Sequence, residues 1–125
     1  MTNCCEMRAP TSVRFAIDGD QARGESGGMS VLVRSISTDS AQNALFEAID
    51  QMGGGSITYE SNSSQWAVKS GFINDTKLIY YVRAEYDRGC GAAGILQVTY
   101  PKGKKASFSG AVTTMSKSFR ADLCG

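Results

Sequence analysis

Residues 77–86 alternate in a way that admits few folds. Written as a strand, they put Leu78, Tyr80, Val82, Ala84 and Tyr86 on one face and Ile79, Tyr81, Arg83 and Glu85 on the other. The first face is apolar or aromatic throughout and should meet the core. The second carries Ile79 and Tyr81, so it is poorly suited to water. Such a strand either lies inside a sheet covered on both sides or borrows its cover from a second copy of the chain.

Its surroundings read as further strands. Segments 56–60, 65–73 and 94–100 are strand-sized, and the turns Ser61-Asn62-Ser63-Ser64 and Asn74-Asp75-Thr76 separate the first three members of an antiparallel meander. Upstream, Val13, Phe15 and Ile17 alternate in a strand over 13–18, and Met29, Val31 and Val33 in a second over 29–36. The polar, glycine-rich stretch between them, 19–28, reads as a loop.

Two segments have helical spacing instead. Asp39 can cap a helix, with Gln42 three residues on, after which Ala41, Leu45, Ala48, Ile49 and Met52 form one stripe. Gly53-Gly54-Gly55 must end it. The second helix follows Pro101 and Lys102-Gly103-Lys104-Lys105 and carries Phe108, Ala111, Val112, Met115 and Phe119. The expectation is an α+β fold: a mainly antiparallel sheet with two amphipathic helices packed on it. At 125 residues the chain suits one domain, 1–125, with residues 1–12 expected to fray.

Composition removes several chemistries. The chain has no histidine, which takes away histidine-based nucleophile activation, the commonest general base and any mixed cysteine–histidine zinc site. Gly24-Glu25-Ser26-Gly27-Gly28 matches a hydrolase nucleophile elbow, but a strand rather than a helix follows it, so it reads as a loop. Asp18 and Asp20 flank Gly19 as turn residues and lack the other ligands of a calcium loop. Gly53-Gly54-Gly55 closes a helix instead of opening one, which is the wrong polarity for a phosphate cradle. No cofactor is expected. The formal charge of +1 and the absence of like-charge blocks give no sign of nucleic acid, and Lys102, Lys104 and Lys105 read as a solvated turn.

Cys4 and Cys5 read as incidental thiols. The spacing of the four cysteines suits no metal, and a bridge between Cys90 and Cys124 is open in an oxidising compartment, although spacing fixes no distance. Neither a signal peptide nor a membrane span is legible: the chain is cytoplasmic as written, or an exported mature form if a leader was removed.

The run Trp66-Ala67-Val68-Lys69-Ser70-Gly71-Phe72, then Leu78-Ile79-Tyr80-Tyr81, then Val98-Thr99-Tyr100-Pro101, then a helix closing on Ser116-Lys117-Ser118-Phe119, resembles the C-terminal half of Mog1/PsbP-like sandwich domains. That resemblance implies an α/β/α sandwich and a non-enzymatic binding module, and it carries over no site residue. From the residues themselves, Trp66, Ile79 and Tyr81 are the candidate exposed sheet face. The occupant is a protein or small-molecule partner or, in a homodimer, a second copy of the chain. An enzyme using tyrosine, carboxylate or lysine chemistry needs a pocket where those groups converge.

Overall fold

A computed structural model describes residues 4–19 and 21–123. In chain order the elements are β1 (Cys5–Glu6), β2 (Arg14–Asp18), β3 (Gln21–Ser26), β4 (Met29–Ser37), α1 (Ala41–Gln51), β5 (Tyr59–Asn62), β6 (Trp66–Phe72), β7 (Leu78–Asp87), β8 (Ala92–Pro101), a 3-10 turn (Lys102–Lys104), α2 (Lys105–Ser118) and β9 (Arg120–Ala121). Seven strands form one antiparallel sheet in the order β2-β3-β4-β8-β7-β6-β5, and β1 pairs with β9 in a small ribbon. The chain builds β2 to β4 as consecutive hairpins, crosses on α1 to the far edge, and returns through β5 to β8. It closes the sheet where β8 pairs with β4, at Arg34↔Ile95.

The strand that is apolar on both faces, β7, lies inside this sheet. Tyr80, Val82 and Ala84 are fully buried with Ala41, Ala44, Leu45 and Ala48 of α1, and Ala67, Ala84 and Ala93 let the helix approach the strands closely. On the opposite face Val31, Val33, Ile79, Leu96 and Val98 pack with Val112, Met115 and Phe119 from α2 and its end. The fold is an α+β sandwich with one helix on each side of a mainly antiparallel sheet. Of the two alternatives open to β7, cover from within the chain is the one seen at Ile79, which packs on the α2 side, while Tyr81 stays half-buried.

Local chemistry explains the helix ends. Ser40, not Asp39, is the N-cap, its hydroxyl accepting from the Asn43 amide at 3.0 Å, while Asp39 accepts from the Asn43 side chain. At the other end Gly53 (φ 102°) and Gly54 (φ 79°) donate back to Asp50 and Ile49, a Schellman closure that needs left-handed backbone.

Besides the cap, three expectations are corrected. Residues 19–28 are not one loop: Gln21–Ser26 is a strand paired on both sides, and Gly27 and Gly28, at φ 58° and 97°, make the two-residue turn to Met29. Gly24 is there because a Cβ would lie 2.8 Å from Val13 Cγ1 and 3.0 Å from the Arg14 carbonyl oxygen. Ser26 sits at the end of this hairpin, its hydroxyl donating to that of Ser12 at 3.0 Å.

The N-terminal segment is docked where it is described. Cys4 and Cys5 are 3 % and 2 % exposed, the Cys4 carbonyl accepts from the Asp122 amide at 2.7 Å, and the two thiols form a disulfide with each other. The third correction is the outer strand, placed at Tyr59–Asn62 rather than 56–60.

Candidate functional site

α2 covers only part of its face of the sheet, and a groove opens between it and strands β5, β6 and β7. Pairing sets the floor: Trp66↔Glu85, Val68↔Arg83 and Ser70↔Tyr81 are neighbours across β6 and β7, with side chains toward α2. Thr113, Ser116 and Lys117 of α2 form the facing wall.

The outer wall depends on an irregularity. The Thr58 amide donates to the Ser70 carbonyl at 2.8 Å, yet Tyr59 is also the register partner of Ser70. Two residues of the outer segment therefore oppose one of β6, which is a β-bulge. It turns Tyr59 onto the α2 side while Ile57, opposite Gly71, belongs to the other side. Tyr59 is 57 % exposed and completes a groove of about 340 Å³ lined by Tyr59, Trp66, Val68, Tyr81 and Arg83 against the helix.

Of the groove's two cations, Arg83 is ion-paired and Lys117 is exposed. Arg83 Nη2 pairs with Glu85 at 3.2 Å and the guanidinium lies 5.0 Å from the centre of the Trp66 ring, while its buried Nε has no hydrogen-bond partner among the described residues. Tyr81 and Ser116 share a 2.6 Å hydrogen bond across the floor. Burial raises the Tyr81 phenol above its ordinary pKa, partly offset by that hydrogen bond and by Arg83. Tyr81 is thus a neutral phenol at pH 7, positioned to donate or accept but not to act as an anion.

The three residues of the expected sheet face are placed differently from one another. Trp66 and Tyr81 are half-buried and line the groove together. Ile79 is 6 % exposed within the core and belongs to no open surface, because it lies between Phe72 and Tyr100 of the neighbouring strands in the α2-side core. Tyr59, Arg83, Thr113, Ser116 and Lys117 complete the site. Arg83 could be found from its i+2 spacing to Tyr81, whereas Tyr59 could not, since the bulge reverses its face.

Other candidate residues are occupied elsewhere. Lys104 Nζ donates to the Gly27 carbonyl at 3.1 Å and Lys102 Nζ lies 5.5 Å from the Phe72 ring centre, so two members of the basic cluster brace the fold. Cys90 is disulfide-bonded; Cys124, its expected partner, and Asp20 of the acidic pair lie outside the described residues. Among the described residues no group of acidic or cysteine side chains could hold a metal, and no helix is long and apolar enough to cross a membrane.

A smaller depression of about 210 Å³ lies on the α1 side of β3, β4 and β8, lined by Arg23, Glu25, Ser30, Leu32 and Gln97. Its Gln97 is held by Arg34, which donates to it at 3.0–3.1 Å and whose pKa burial lowers.

Among solved structures, a variant of the protein Mog1 matches with a TM-score of 0.67 at 11% identity, over 93% of this chain and 89% of that one. The fold is Mog1/PsbP-like. The Ran-binding protein Mog1p of Saccharomyces cerevisiae matches at TM-score 0.65 and 10% identity over 93% of this chain and 89% of its own. The cyanobacterial PsbP of Synechocystis sp. PCC 6803 matches at TM-score 0.67 and 8% identity over 94% and 86%. No protein-family model matches the sequence, and no curated protein matches it. At such identities the likeness is one of fold alone.

Proposed function

We propose that this chain is a non-catalytic binding module that holds a protein segment or small ligand in the groove between α2 and strands β5 to β7. The observation that carries the reading is the convergence of Tyr59, Trp66 and Tyr81 with Arg83 and Lys117 in one open concavity. Aromatic groups with a wet edge supply contact area at small entropic cost, and a few fixed polar groups supply orientation. A catalytic reading has less support. The phenol of Tyr81 is spent on Ser116, Arg83 is tied to Glu85, and among the described residues no carboxylate lines the groove to serve as a base. That one structural neighbour is a Ran-binding protein makes a protein partner a natural class for this fold, without naming the partner here.

The test is residue-resolved. Amide spectra of the labelled protein, titrated with a library of small fragments and short peptides, should shift at Tyr59, Trp66, Tyr81, Arg83, Thr113 and Lys117. Shifts gathered instead around Arg23, Glu25 and Gln97, or none across the library, would remove the groove as the binding site.

A further inference from the structure

We infer that the groove's occupant is an acidic peptide segment of a partner protein, with an apolar or aromatic side chain seated among Tyr59, Trp66 and Tyr81 and its carboxylates toward Lys117. This rests on the reading of the groove as the binding site and adds the class of ligand. Charge complementarity selects that class. Of the groove's two cations Arg83 is paired with Glu85, which leaves Lys117 to meet a ligand's charge, and among the described residues no acidic side chain lines the groove.

Lys117 also lines a second, shallower depression beyond the last turn of α2, together with Arg8, Thr114 and Ser118. Lys117 therefore joins the aromatic groove to Arg8, and among the described residues neither depression is lined by an acidic side chain. Both lie beside a helix whose fourteen residues include no aspartate or glutamate. In a chain whose formal charge is only +1, this is local asymmetry and not a general excess of base. The acidic groups Glu6 and Asp122 lie near the β1–β9 ribbon, where Glu6 is the register partner of Arg120, outside both depressions.

The rest of the lining limits the ligand further. A cationic ligand would meet the like charge of Lys117 at the groove and of Arg8 beyond it. A nucleic-acid strand carries a phosphate on every nucleotide and draws its affinity from many basic contacts. Lys117 and Arg8, one in the groove and one in the adjoining depression, suit a few carboxylates instead. The volume near Tyr59 and Trp66 takes a side chain or two, which is the scale of a single anchor residue.

Trp66 is the only tryptophan, so its fluorescence reports the groove directly. The probes are three eight-residue peptides in which phenylalanine alternates with glutamate, with serine or with lysine, together with an octathymidylate strand. The glutamate peptide should change Trp66 emission with saturation, weaken as salt rises, and bind about tenfold more weakly to Lys117→Glu and Arg8→Glu variants. Both side chains project from the surface of the fold, so these variants should keep the parent melting temperature.

Equal binding of the serine peptide, or preference for the lysine peptide, overturns the acidic class while leaving the groove as a binding site. Stronger binding of the oligonucleotide overturns it in favour of nucleic acid. Silence of Trp66 toward the glutamate peptide at millimolar concentration overturns it outright, and the fragment titration then judges the groove independently.

Discussion

The Tyr81 hydroxyl and Ser116 Oγ, 2.6 Å apart, join the sheet to α2 across the floor of the groove. Ser116 is 4 % exposed and has little access to water, so its hydroxyl depends on Tyr81 far more than Tyr81, half-buried and open to the groove, depends on it. Tyr81→Phe should therefore cost about 1–3 kcal/mol, the penalty for stranding a buried polar group. Adding Ser116→Ala should recover part of that loss. Urea unfolding of the two single variants and the double variant decides it, and strictly additive losses would show that the pair is not coupled.

The anchoring of α2 rests on Phe119, fully buried one residue past the helix end, where its ring lies against Gly94 of β8. Phe119→Ala should cost about 3–5 kcal/mol through lost burial and the cavity left behind. Ile17→Ser is the matched control: Ile17, on edge strand β2, is 57 % exposed, and its loss should stay within about 0.5 kcal/mol. Similar denaturation midpoints for the two variants would mean that α2 is peripheral to stability.

How far the sequence reaches depends on what each element asks of it. Both helical stripes are legible because Ala41, Leu45 and Ala48, and Val112, Met115 and Phe119, recur at a period that packing preserves. β7 is legible for the same reason at period two. β3 is hidden because Gly24 occupies a strand interior, where glycine ordinarily signals a break; the need for it arises from Val13 and the Arg14 backbone, a crowding that only tertiary structure creates. The sandwich arrangement is one of two alternatives open to the sequence, since alternation on β7 demands cover without saying from where. The groove is half legible: Trp66 and Tyr81 share a face by strand periodicity, but Tyr59 reaches it through a bulge and Lys117 through the packing of α2 on the sheet.

Three tyrosines make the fold sensitive to alkali. Burial raises the phenol pKa of Tyr80, Tyr81 and Tyr100; Glu60 adds to the shift at Tyr80, and at Tyr81 Ser116 and Arg83 oppose it. With the folded pKa above the unfolded one, the folded chain holds more protons in that range, so stability falls as pH rises. The contribution is fully present below the ordinary tyrosine pKa of about 10 and is lost as pH climbs toward the raised folded values. Melting temperature should therefore drop above about pH 10, and Tyr100→Phe should make the drop shallower. A melting temperature flat to about pH 11 in the parent protein would contradict the assignment.

Two glycines with opposite surroundings should respond to alanine with opposite sign. At Gly71 of β6 a Cβ would collide with the Ser56 carbonyl oxygen and sit 3.2 Å from Ile57 Cα, both backbone atoms that cannot swing aside. The incoming methyl must push the 56–58 segment off β6, breaking the Ser56 and Thr58 amide hydrogen bonds to Phe72 and Ser70 and with them the bulge that carries Tyr59. Gly71→Ala should cost about 1–3 kcal/mol or more. It should also change Trp66 fluorescence in the folded protein, because the outer wall of the groove moves. Gly110 lies inside α2, on its exposed side, and a methyl group there would find no neighbouring atom within 4 Å, so Gly110→Ala meets no obstacle and removes backbone freedom from the unfolded chain. It should stabilise by about 0.5–1 kcal/mol and leave Trp66 emission unchanged. Denaturation of both variants monitored through Trp66 separates the effects: a silent Gly71→Ala would deny the close approach of the 56–58 segment to β6, and a destabilised Gly110→Ala would mean that this side of α2 is not open.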